Sequence, residues 1–84
     1  MAVVLLPGLL ATEAGGKKEF VVEAATVGDA LRALPVSDLV LDEAGEVRSL
    51  VHVYVDGQRA HDLAAVVGDD ARIRIVAAIA GGAL

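Results

Sequence analysis

The segment SLVHVYVDGQRA, residues 49–60, constrains the fold more than any other part of the chain. Val51, Val53 and Val55 alternate with Leu50, His52 and Tyr54, the period of two that gives a strand two chemically different faces. Asp56-Gly57 follows at once, and this dipeptide is a strong signal for a two-residue hairpin turn. A strand and a reversal are therefore expected here, with valines toward a core.

A second segment repeats this logic. After a turn at Gly68-Asp69-Asp70, Ile73 and Ile75 alternate with Arg72 and Arg74. Near the start, AVVLL at residues 2–6 is an apolar run stopped by Pro7-Gly8, which suits a central strand covered on both faces. The polar, glycine-rich ATEAGGKKE reads as a loop, and EFVVEA as a further strand rich in β-formers. In ATVGDALRALP, Thr26 is placed to cap a helix, and Asp29 in the first turn suits the helix dipole. Val27, Ala30, Leu31 and Leu34 then form one apolar stripe, and Pro35 ends the helix. The connector SDLVLDEAGE has room for one short helical turn, with Asp42 to Gly45 as a turn. The order is strand, strand, helix, connector, strand, short return, strand. This predicts an α+β fold, a mixed sheet with one main helix packed on one face. The first and last strands are the apolar ones and belong side by side in the centre. A β-grasp, ubiquitin-like arrangement meets these constraints, with residues 1–80 as a single domain and 81–84 as a flexible tail.

Composition excludes several classes of function. Aromatic residues are 2% of the chain, which leaves no stacking platform for nucleotide bases. The net charge of -5 argues against a phosphate backbone as partner. There are no cysteines, so disulfides, thiolate metal sites and cysteine nucleophiles are ruled out. The opening MAVVLLPGLLATEA lacks a basic residue ahead of its apolar run and is broken by Pro7-Gly8, so it reads as strand and turn, not as a secretion signal. No apolar stretch is long enough to span a bilayer. A cytoplasmic protein is expected.

The chain shows no catalytic set of its own. His52, His61, Asp62, Asp69 and Asp70 match no familiar metal-ligand spacing, and they read as surface and turn residues. Ser37 and Ser49 have no nucleophile-like setting. Gly15-Gly16-Lys17 lacks the leading glycine and the following Ser or Thr of a phosphate loop. The residues that alternate away from the core carry more information. His52, Tyr54, Arg72 and Arg74 are expected together on the outer sheet face, and Tyr and Arg are enriched where proteins dock.

The end of the chain, AAIAGGAL, sharpens this reading. A carboxylate that is to be activated by another protein must reach a narrow active site as extended chain. Only glycine lets backbone approach backbone that closely. A compact domain followed by Gly81-Gly82 is what a carrier with a reactive end requires.

The succession TVGDALRAL, VHVYVDGQ and GDDARIRIVAAIAGG resembles the ubiquitin-like sulfur carriers, among them the molybdopterin synthase small subunit and the thiamine-pathway carrier. The resemblance spans nearly the whole chain. It implies that an E1-like adenylyltransferase uses ATP to adenylate the terminal glycine, that sulfur then makes a thiocarboxylate, and that a downstream synthase takes the sulfur. Carried onto this chain, Gly82 is the reacting residue and Gly81 its neighbour. The chain itself would be a substrate and no enzyme, with no bound cofactor or metal.

Three departures stand out. Asp56-Gly57 replaces the family's frequent Asn-Gly. Alanine, about Ala77, stands where a proline is common. Ala83 and Leu84 follow Gly82, whose carbonyl is then an amide and inert to adenylation. Some carriers carry a short extension that a zinc metallopeptidase removes, so the Gly82–Ala83 bond is the expected processing site. Other functions open at this stage are a molybdopterin synthase subunit, a ubiquitin-like modifier, and an interaction module without tail chemistry.

Overall fold

A computed structural model describes residues 1–77. Five strands form one sheet. They are β1 (Ala2–Leu5), β2 (Glu19–Val22), β3 (Val51–Val55), β4 (Gln58–Arg59) and β5 (Arg72–Ala77), in the order β2-β1-β5-β3-β4. β1 and β5 are parallel and central, with Val4 beside Ile73, and the remaining pairs are antiparallel. Three short helices complete the described chain: α1 (Gly8–Glu13), α2 (Val27–Arg32) and α3 (Ser37–Val40).

The core lies between one sheet face and the helices. Ala2, Val4, Val51, Val53, Ile73 and Ile75 supply its floor. Val27, Ala30, Leu31 and Leu34, the stripe read from the sequence, are all buried against it. The described core holds no buried polar or charged side chain, so burial of aliphatic surface is its main source of stability.

α2 begins as its sequence predicts. The Thr26 hydroxyl accepts the Asp29 N–H at 3.2 Å. Two further free donors of the first turn are met by a passing loop: Val27 N–H donates to Ala65 O at 3.0 Å and Gly28 N–H to Leu63 O at 2.8 Å. The approach is close, and a Cβ on Gly28 would lie 3.2 Å from Leu63 O.

The β3–β4 turn is also as expected. Asp56 and Gly57 have φ of 50° and 87°, positive at both central positions as a type I′ hairpin requires. Asp56 also reaches beyond the turn. Its carboxylate accepts the Arg72 N–H at 3.0 Å, which ties the hairpin to the start of β5. The Asp42 turn forms too, with its carboxylate accepting the Ala44 and Glu46 N–H groups.

Two expectations need correction. The sequence predicts a turn and then a loop after Pro7, yet residues 8–13 are helical. Pro7 precedes the helix, where its missing N–H costs nothing. Leu10 and Ala11 pack into the core, and Gly15 and Gly16, with φ of 81° and 89°, close the C-terminal end. Unlike α2, this helix has no side-chain cap and no acidic residue in its first turn to announce it. The second correction concerns β1. It is central, but Val3 and Leu5 are only half-buried, because no described element covers the outer sheet face.

Candidate functional site: the outer sheet face

Strand register decides which side chains meet on the open face. Tyr54 lies directly across from Arg74, and Leu5 flanks Arg74 on the other side. Val3 flanks Arg72, and His52 lies across from Val76. Arg59 of β4 pairs with Tyr54 at the sheet edge. Leu5, Tyr54, Arg72, Arg74 and Val76 line a shallow groove of about 580 Å³, bounded at one end by the Asp56-Gly57 turn.

The alternation in sequence thus places three of the four expected docking residues, Tyr54, Arg72 and Arg74, in one groove. His52 shares their face but lines a neighbouring cleft of about 420 Å³ with Ser49, His61 and Asp62. Its Nδ1 is buried and has no hydrogen-bond partner among the described residues.

The groove is basic and partly apolar on a chain of net charge -5. The single ion pair among the described residues is Arg32 to Asp29, 2.9 Å, on the exposed side of α2. The Arg32 guanidinium is the main cause that holds the Asp29 carboxyl below the ordinary aspartate range, and the Thr26 hydroxyl adds to it. Arg72 and Arg74 therefore have no carboxylate partner among the described residues and are free to meet one on another molecule. Val3, Leu5 and Val76 supply apolar surface beside them. Val76 follows Arg72 and Arg74 in the alternation of β5, whereas Val3 and Leu5 come from another strand that alternation within β5 does not assign to the site. The signal of Val3 and Leu5 is present in AVVLL, whose apolar residues on both faces read as a strand covered twice.

No three His, Asp or Glu side chains converge among the described residues in a way that would hold a metal ion. No described helix is long and apolar enough to cross a membrane. Gly81, Gly82 and Ala83, the expected reactive and processing residues, lie outside the described residues.

No protein-family model and no curated protein sequence matches the chain. Solved structures do. CysO of Mycobacterium tuberculosis, described as an antigen, superposes with a TM-score of 0.82 at 23% identity, covering 93% of this chain and 99% of that one. The fold is the ubiquitin-like β-grasp. A chain of the BexX/CysO complex from Amycolatopsis orientalis gives a TM-score of 0.78 at 25% identity, over 93% of this chain and 96% of that one. SAMP1 from Haloferax volcanii gives 0.76 at 26% identity, over 90% and 92%. These neighbours are ubiquitin-like sulfur carrier and modifier proteins, the group that the sequence resembles.

Proposed function

We propose that this β-grasp domain is a cytoplasmic sulfur carrier made as a precursor. Hydrolysis of the Gly82–Ala83 peptide bond by a zinc metallopeptidase consumes one water, releases Ala83-Leu84 as a dipeptide and leaves a carboxylate on Gly82. An E1-like adenylyltransferase joins that carboxylate to the α-phosphate of ATP, and pyrophosphate leaves. A sulfur nucleophile then displaces AMP and leaves a thiocarboxylate, from which a synthase takes the sulfur. ATP belongs to the activating enzyme, and the chain contributes presentation and docking.

The observation that carries this reading is the position of the open groove on β5, the strand whose sequence leads to Gly81-Gly82. About five residues separate Ala77 from Gly82, a span of at most ~18 Å when extended. An enzyme that acts on Gly82 must therefore bind within that reach of the Ala77 end of β5, to which Arg74 and Tyr54 lie nearer than Arg72. The BexX/CysO complex supports the view that a carrier of this shape works bound to another protein.

The name of SAMP1, a small archaeal modifier protein, favours a second reading, in which Gly82 is joined to lysines of other proteins. Intact mass of protein purified from its native host separates the two. The carrier reading expects loss of Ala83 and Leu84, and a gain of about 16 Da on Gly82 as oxygen gives way to sulfur. Full-length chain as the sole form, still carrying sulfur, would overturn the precursor. Gly82 linked to lysine, with no thiocarboxylate, would establish the modifier.

A further inference from the structure

The other edge of the sheet is open as well. Leu6 N–H donates to Lys18 O at 2.8 Å, and the β1–β2 register continues this pairing with Val4 beside Phe20 and Ala2 beside Val22. In an antiparallel ladder hydrogen-bonded pairs recur every second residue. Lys18, Phe20 and Val22 therefore spend their backbone groups on β1. Glu19, Val21 and Glu23 direct theirs away from the sheet, where no described residue meets them. Val21 is also 61% exposed, an apolar side chain standing beside this bare edge.

We propose that this edge pairs with the same edge of a second copy, antiparallel, with Phe20 opposite Phe20. A register with Val21 opposite Val21 would set Glu19 against Glu23 twice, and like charges directly opposite destabilise. One with Glu19 opposite Glu19 fails for the same reason. Phe20 opposite Phe20, with the ladder extended past the ends of β2, instead sets Lys17 against Glu23 twice, the Lys17 ammonium turning from its position 5.0 Å over the Phe20 ring. It places the two phenyl rings as a cross-strand aromatic pair on the inner face, and it matches the free donors of Glu19 and Val21 to each other's acceptors. The flanks Lys17, Lys18, Glu19 and Glu23 carry two charges of each sign, so the edge is locally neutral although the chain is not. The two-fold axis would stand perpendicular to the sheet. Ten strands would form one surface, with both Arg72–Tyr54–Arg74 grooves on the same side and separated from the contact by β1 and β2, so a dimer would leave the arginines uncovered.

The contact is short, and the dimer is correspondingly weak and concentration-dependent. Sedimentation equilibrium on the full chain between about 10 µM and about 1 mM spans the range of weak association. The wild type should shift from monomer toward dimer across it. K17E or E23K alone sets two like-charge pairs across the contact and should weaken the dimer about tenfold. The double variant K17E/E23K exchanges the charges and should restore it. V21P removes an N–H that faces outward, which an edge strand tolerates, and should abolish the dimer with the melt little changed. A wild type that stays monomeric at the highest concentration overturns the proposal. So does a dimer that V21P leaves intact in folded protein, or one that the double charge exchange fails to restore.

Discussion

β5 presents two surfaces cut from alternate residues of one strand. On the inner face Ile73 and Ile75 are 0% and 2% exposed and belong to the same core cluster as the α2 stripe. On the outer face Arg72 and Arg74 are exposed beside Tyr54, Leu5 and Val76, with nothing described above them. The faces share backbone, register and neighbours, so their difference isolates what a side chain contributes. Inner residues bury the aliphatic surface that stabilises the fold, whereas the exposed outer arginines are expected to add little to stability.

Ile73→Ala tests the inner face with the largest expected effect. Deleting a large aliphatic from a packed core costs about 2–5 kcal/mol, because lost burial adds to the cavity left behind. Urea unfolding should show that loss as a lower midpoint at unchanged slope. A cost under about 1 kcal/mol would mean that the core closes over the gap, and the contrast between faces would weaken.

Thr26→Ala comes next. It removes the acceptor for the Asp29 N–H at the start of the helix that lids the inner face. Cap losses run at about 1 kcal/mol. Since Leu63 O and Ala65 O hold the neighbouring N–H groups, the helix should stay in place. Thermal melts and the helical circular-dichroism signal check both parts.

Reversing Arg72 and Arg74 to Glu should change stability by no more than about 0.5 kcal/mol, as is usual for exposed sites. The KM for the carrier in pyrophosphate exchange with its activating enzyme should nevertheless rise, and rise most at low salt, where exposed charges are least screened. An unchanged KM at low salt, with a normal melt, would reduce the outer face to a solvated surface.

The smallest effect concerns Asp29. Its carboxyl pKa is lowered in the folded chain, first by Arg32 and then by the Thr26 hydroxyl. A group depressed in this way adds stability above the ordinary aspartate pKa, about 3.9, and loses it as pH falls through the lowered folded value. Asp29 is exposed to solvent, so the increment is small. Melts of Asp29→Asn and the wild type should therefore converge as pH drops below about 4 and differ slightly above it. A difference that grows in acid would reverse the assignment.

The structural comparisons support the resemblance seen in the sequence, and the parts of the fold that are legible share a cause. The alternation of Val51, Val53 and Val55 and the Asp56-Gly57 turn are local signals, as is the α2 stripe after Thr26. Each is stabilised by residues only a few positions apart. The helix after Pro7 is not legible, because it lacks the capping side chain and acidic first turn of α2 and is held by Leu10 and Ala11 in the core. The groove is legible in part. Tyr54, Arg72 and Arg74 follow from alternation, whereas separating His52 into its own cleft needs the loop that brings His61 and Asp62 beside it.

Local chemistry alone sets which residues of this chain are strand or helix, which faces are apolar, and that a glycine pair follows the last strand. Residues far apart in the chain decide the rest. The β1–β5 pairing sets Leu5 beside Arg74, from opposite ends of the described chain. The loop carbonyls of Leu63 and Ala65 complete the start of α2. Whether an apolar strand is covered once or twice depends on what the remaining chain can reach. In β1 every second side chain is apolar on either face, and the described elements lie over just one of them. A hydrophobic pattern records what a surface would gain from being covered, and the packing of distant elements determines whether the cover comes from the same molecule or from another.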